Sequence, residues 1–117
     1  MTLKEEIKKI IEGDVEMDEK TLNEYSTDAS LFKVKPSLVV FPKSVKDIKK
    51  LVKFVTAQKK KGKKVSLTAR SGGTDMTGGP LTESIVMVFT RYLNRLIEIG
   101  NDYAIVEPGM YYRDFEK

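Results

Sequence analysis

The 117-residue chain contains no cysteine, no histidine and no tryptophan. Without cysteine there is no disulfide framework and no thiolate metal site. Without histidine, the usual neutral-pH base and the commonest metal ligand are both missing. Catalysis by these residues alone would rest on carboxylates, lysine, tyrosine or a cofactor. No apolar run approaches the ~20 residues of a membrane-spanning helix. The first residues, Met1-Thr-Leu-Lys-Glu-Glu-Ile-Lys-Lys-Ile10, carry charges at helical spacing and do not read as a signal peptide. A cytoplasmic location is the expectation. Excess charge is also modest: a net +4 at pH 7 falls short of what a dedicated nucleic-acid binder would carry. The balance of 40% hydrophobic and 32% charged residues is that of a globular chain, long enough for one ordinary domain.

Apolar residues at three- and four-residue spacing, Leu3, Ile7, Ile10 and Ile11, predict an amphipathic helix stopping near Gly13. A second short helix is expected after Asp18, including Leu22 and Tyr25, followed by a loop over 27–30. Leu38-Val-Val-Phe41, between Pro36 and Pro42, has the length and β-branching of a buried strand. Ser44 then reads as a helix N-cap, with Asp47 in the position of a capping-box acid. Val45, Ile48, Leu51, Val52 and Val55 form the expected core face of this helix, and lysines the other face. Gly62 is its expected stop. A strand at 65–68 completes a βαβ unit whose strands should run parallel with a right-handed crossover. Ile85-Val-Met-Val-Phe89, apolar throughout, predicts a strand buried on both faces. Residues 95–99 and 103–107, separated by Gly100-Asn-Asp102, read as a hairpin. Pro108-Gly109 breaks the second arm, and a helix beginning at Tyr111 has no cap or closing glycine before the last residue, so the sequence reads as cut.

Half of the eight glycines fall in one stretch, Ala69-Arg-Ser-Gly-Gly-Thr-Asp-Met-Thr-Gly-Gly-Pro80, directly after the predicted 65–68 strand. Open α/β sheets bind ligands at the C-terminal ends of their strands. Successive backbone N–H groups can form an anion nest, and glycine lets a backbone approach a ligand with no Cβ between. Thr74 and Thr77 offer hydroxyls, and Arg70 a bidentate cation. The stretch is neither a Walker loop nor a G-x-G-x-x-G fingerprint. On composition alone it reads equally as a flexible surface turn or as a cradle. Other features have plain readings. Lys59-Lys-Lys-Gly-Lys-Lys64 complements a helix C-terminus. Tyr111-Tyr112 reads first as the anchor of a new helix on the sheet, with a cofactor contact as the alternative. Glu98 and Glu107 lie on an exposed strand face.

The order and spacing of residues 36–52, the glycine loop, residues 85–99 and Ala104-Ile-Val-Glu-Pro-Gly109 resemble the FAD-linked oxidase family, the vanillyl-alcohol oxidase and p-cresol methylhydroxylase type of flavin domain. The resemblance runs from about residue 25 to 117 and is strongest to the 2-hydroxy-acid branch, with D-lactate dehydrogenase and the glycolate oxidase flavoprotein subunit. It implies an α+β fold: a βαβ unit with a small, mostly parallel sheet flanked by helices, plus a β-hairpin. That is the first half of such a domain. Residues 1–30 would be an N-terminal helical segment and 31–117 the partial FAD-binding domain. The resemblance implies that Ala69, Arg70, Ser71, Gly72, Gly73, Thr74, Asp75, Met76, Thr77 and Gly78 wrap the FAD diphosphate, and that Pro108 and Gly109 pass near the flavin. Asp75 stands where the family often has serine, which suits a loop brace better than a direct ligand. Thr74 stands where covalently flavinylated relatives carry histidine, so FAD would be held non-covalently, and weakly by this chain alone. The implied partners are the rest of the FAD domain and a substrate domain, with self-association through exposed edges. The competing reading is a stand-alone basic α/β module for nucleic acid or an acidic partner.

Overall fold

The computed structural model describes residues 1–116. Its elements are α1 (Leu3–Ile10), β1 (Asp14–Glu16), α2 (Glu19–Glu24), β2 (Leu38–Phe41), α3 (Val45–Lys60), β3 (Leu67–Arg70), β4 (Ile85–Val88), β5 (Leu96–Ile99), β6 (Ala104–Val106) and α4 (Tyr112–Phe115). β1, β2, β4 and β3 form one sheet in that spatial order. β2, β4 and β3 run parallel, whereas β1 pairs antiparallel with β2. The expected α+β class and mostly parallel sheet are borne out.

The sheet explains why β2 and β4 are apolar at every position. Leu38, Val40, Ile85 and Met87 pack under α1 and α3 with Ile7, Leu51 and Val55. The alternate residues Val39, Phe41, Val86 and Val88 pack on the other face with Leu22 of α2, Tyr25 and Tyr92. Side chains alternate across a strand, so a strand covered on both faces must be apolar throughout.

Some expectations are corrected. β2 and β3 run parallel, as expected of the βαβ unit, with β4 inserted between them, so α3 links strands two positions apart. β3 begins later than expected and extends to Arg70, which places Ala69 and Arg70 in the sheet and shortens the loop. β1 was not foreseen. It has a single buried residue, Val15, and its flanking acids are held from outside. Arg91 Nη1 lies 2.9 Å from an Asp14 carboxylate oxygen and 3.2 Å from one of Glu16, and the Tyr92 hydroxyl donates to Asp14 at 2.5 Å.

α3 is rolled about its axis relative to the expected face. Val45 and Val52 are exposed, and the buried stripe is Asp47, Leu51, Val55 and Gln58. The cause is Asp47. Ser44 caps the helix by accepting from the Asp47 amide, but the Asp47 carboxylate does not close the reciprocal box on Ser44. It turns inward, 2% exposed, and accepts from the amides of Glu12 (3.0 Å), Gly13 (2.9 Å) and Lys43 (2.9 Å). A carboxylate serving three amides must lie inside, and it takes the inward position from Val45 and Val52.

The hydrogen bond from Tyr92, followed by the Arg91 contact, holds the Asp14 carboxyl below its ordinary range. Glu107 is lowered in the same direction, chiefly by Arg95. A carboxylate with a depressed folded-state pKa contributes stability that is fully present above its unfolded value. That contribution is lost as pH falls through the folded one. The denaturation midpoint should therefore be flat from neutrality to pH ~5 and fall below about pH 4. Substituting Asp14→Asn should flatten part of that fall, measured by urea titration at stepped pH.

Candidate functional site

β3 delivers the chain at the C-terminal edge of the parallel strands, and the glycine loop starts there. Gly73 and Gly78 have φ of 70° and 80°, the left-handed region that β-branched residues avoid. At Gly73 a Cβ would also lie 2.3 Å from Arg70 Nη2. Ser71, Gly72, Thr74 and Asp75 are solvent-exposed, Gly73 is half-buried, and Met76 is 79% exposed. Among the described residues, no acceptor pairs with the amides of Ser71, Gly72, Gly73 or Thr74. The loop is tied to the body at Asp75, whose carbonyl accepts from the Ala29 amide at 2.9 Å.

Arg70 differs from its expected role as a free cation. It is only 9% exposed, and its guanidinium lies 5.2 Å from the Tyr25 ring centroid, beneath the loop. Its Nη1 is buried and has no hydrogen-bond partner among the described residues. An unpaired buried donor costs about 1–3 kcal/mol, more when charged. A cation in that state under a row of free amides has the chemistry of an anion site.

The loop is one wall of a cleft of about 460 Å³ lined by Ser71–Asp75 and, opposite, by Met110, Tyr111, Tyr112 and Arg113. Tyr111 comes closest: a Cβ on Gly72 would lie 3.1 Å from its ring. Arg113 lies 5.0 Å over the Tyr111 ring. Both tyrosines are exposed, at 38% and 73%, rather than packed into the sheet. Thr77 and Gly78 lie farther along the loop, outside the cleft lining, as do Pro108 and Gly109. Gly109 is a buried corner. Its amide donates to the Leu93 carbonyl at 2.7 Å, and a Cβ there would lie 2.2 Å from the Phe89 carbonyl oxygen. The sequence signal that would have found the second wall is the pair of tyrosines directly after Pro108-Gly109.

Glu107 is likewise corrected. It is buried, and its carboxylate accepts from the Arg95 amide (2.9 Å), Nε (2.8 Å) and Nη2 (3.2 Å), closing the base of the β5–β6 hairpin. Glu98 is exposed and accepts from the Tyr103 hydroxyl.

A family model described as FAD binding domain matches residues 36–117. The chain belongs to the FAD-binding domain family. FAD is accordingly its cofactor, as the resemblance of the sequence blocks implied. The D-2-hydroxyglutarate dehydrogenase of Escherichia coli (strain K12) is 36% identical over 87 residues, 73% of this chain and 8% of that protein. The enzyme of the same name from Stutzerimonas stutzeri (strain A1501) is 30% identical over 111 residues, 91% of this chain and 23% of that protein. This FAD-binding domain thus spans between 8% and 23% of the length of these curated relatives. Among solved structures, the 4-ethylphenol oxidase from Gulosibacter chungangensis superposes with a TM-score of 0.74 at 30% identity, over 95% of this chain and 22% of that one. An alkyldihydroxyacetonephosphate synthase gives 0.69 at 19% identity, over 87% of this chain and 21% of that one, a likeness of fold alone. Among the described residues, no helix is long and apolar enough to cross a membrane, and no cluster of acids suits a metal.

Proposed function

We propose that the glycine loop holds the diphosphate of FAD, within a dehydrogenase that acts on a 2-hydroxy acid. The observation that carries this reading is the run of unpaired amides from Ser71 to Thr74 above the buried, unpaired Arg70 Nη1. Those amides would donate to the phosphate oxygens, with the Thr74 hydroxyl beside them. Arg70 would act from below as a fixed charge that also sets the loop's shape through Gly73. Ala69 and Gly78 bound the loop, and Met76 and Thr77 complete its rim. Asp75 braces the loop through its carbonyl and Ala29. Pro108 and Gly109 turn the chain so that Met110–Arg113 face the loop, with Tyr111 nearest. These 117 residues contain no histidine or cysteine for covalent attachment.

FAD, when bound, supplies the hydride acceptor for a 2-hydroxy acid, and the protein supplies orientation and electrostatics. Supporting the substrate class, the E. coli and S. stutzeri relatives are D-2-hydroxyglutarate dehydrogenases. The chain's short span of those relatives supports a site completed by residues beyond these 117, in the same polypeptide or another. The β5–β6 hairpin supports it too. Every residue of β5 is exposed, and Ile97, Ile99 and Tyr103 are more than half exposed. A hairpin with apolar residues on show is a surface made to be covered, by the rest of the domain or by self-association. The stand-alone nucleic-acid reading has no such support.

The test is the visible spectrum of the purified chain mixed with FAD and passed over a desalting column. We expect no retained flavin absorbance from the chain alone, and retention when the remainder of a relative's FAD domain is supplied with it. Failure to retain flavin even then would remove the proposal.

A further inference from the structure

The cofactor cleft uses none of the chain's lysines, and most of them lie on α1, α3 and the turn after α3, where no arginine occurs. Between α1 and α3 runs a groove of about 520 Å³ lined by Lys9, Ile10, Lys50, Lys53 and Phe54. Lys9, Lys50 and Lys53 are exposed, and none of them is in an ion pair among the described residues. Ile10 and Phe54 are half-buried and pack against the main core, so they form a fixed apolar floor. The groove shares no residue with the glycine-loop cleft.

We propose that this groove docks an acidic protein segment, whose carboxylates meet Lys9, Lys50 and Lys53 while one large apolar side chain seats on Ile10 and Phe54. The rim selects negative charge, and the floor selects what carries it. A nucleic-acid backbone has no apolar group for the floor, and a single half-buried phenylalanine is not the run of aromatics that stacks successive bases. An acidic segment with a protruding leucine or phenylalanine satisfies both. Lysine rather than arginine suits it as well: point charges on flexible stems tolerate varied carboxylate geometry without a bidentate fork.

The test is fluorescence anisotropy at low salt with a labelled synthetic peptide, rich in Glu and Asp and carrying one leucine. Three comparators run beside it: the same peptide with Leu→Ala, a single-stranded oligothymidylate of equal charge, and phosphatidylserine–phosphatidylcholine vesicles. The expected result is saturable binding of the leucine peptide that weakens with added salt. The leucine-to-alanine change should weaken it by roughly tenfold, the scale of one buried aliphatic side chain. The double variant Lys50→Glu/Lys53→Glu, on an exposed face where folding is little affected, should weaken it by at least about tenfold. Equal binding of the alanine peptide, tighter binding of the oligonucleotide or vesicles, or an unaffected double variant would each overturn the proposal. Absence of any binding would overturn it too. None of these outcomes touches the FAD reading, because no cleft residue is altered.

Discussion

The variant Asp47→Ala is expected to lose about 3–5 kcal/mol of stability, the largest single effect in the chain outside the apolar core. Asp47 is 2% exposed and, among the described residues, is the only acceptor for the amides of Glu12 and Gly13, besides serving Lys43. Its removal strands three backbone donors at the junction where α1, β1 and the start of α3 meet. Water can reach only part of that junction, so the desolvation cost of the amides remains. Hydrogen bonds to a charged acceptor contribute about 1.5–3 kcal/mol each, and their loss is less than additive because the turn relaxes. Urea unfolding monitored by circular dichroism measures it: the midpoint should fall with the slope unchanged. Lys46→Ala, one residue earlier and exposed, is the control and should move the midpoint by no more than about 0.5 kcal/mol equivalent.

Gly73→Val is expected to weaken FAD binding by at least about tenfold while leaving the fold in place. The backbone at Gly73 sits at φ 70°, which costs a non-glycine residue about 1–2 kcal/mol, and a β-branched one more. The new side chain would also meet the Arg70 guanidinium, whose Nη2 lies 2.3 Å from the Cβ position. Arg70 has little room to withdraw, because it is buried with the Tyr25 ring 5.2 Å from its guanidinium. The loop must therefore move, and the amides of Ser71–Thr74 move with it. The loop is exposed and carries little of the core, so thermal unfolding should shift by only a few degrees. Quenching of FAD fluorescence on titration with wild-type and variant chain, each supplied with the remainder of a relative's FAD domain, measures the affinity. An unchanged affinity would mean that the diphosphate lies elsewhere.

How far the fold was legible depended on whether local pattern and tertiary demand agreed. They agree in α1 and α2, where spacing and the Thr2 and Asp18 caps are local signals. They agree in β2 and β4, whose unbroken apolar runs announce a sheet covered on both faces. They disagree in α3. Hydrophobicity put Val45 and Val52 inside, but unpaired amides from a distant turn drew Asp47 in instead, and no local pattern records an amide more than thirty residues away. β1 was illegible for a related reason. Three residues with acids at both ends carry no strand signal, and what holds them is Arg91 and Tyr92, from the turn after β4.

The site was legible as a loop and not as a cleft. Glycine content marked where a backbone needs freedom, and the structure shows left-handed φ at Gly73 and Gly78. The opposite wall, Met110–Arg113, is marked in the sequence by its paired tyrosines, which read first as a helix anchor. Arg70 was recognised as relevant, but its burial under the loop follows from β3 running two residues further than its apolar stretch indicates. Ile97, Ile99, Ile105 and Val106 are exposed on the hairpin. They would be core only with something laid over them.

The most direct test of the account is an amide-resolved NMR titration of the ¹⁵N-labelled chain with FAD, which detects binding too weak for a column to retain. The expected result is a progressive shift of the Ser71–Thr74 amides and the Arg70 side chain, with smaller shifts at Met110–Arg113 and none along α3. Shifts confined to the lysine-bearing helices, or a loop that stays silent at millimolar FAD, would contradict it.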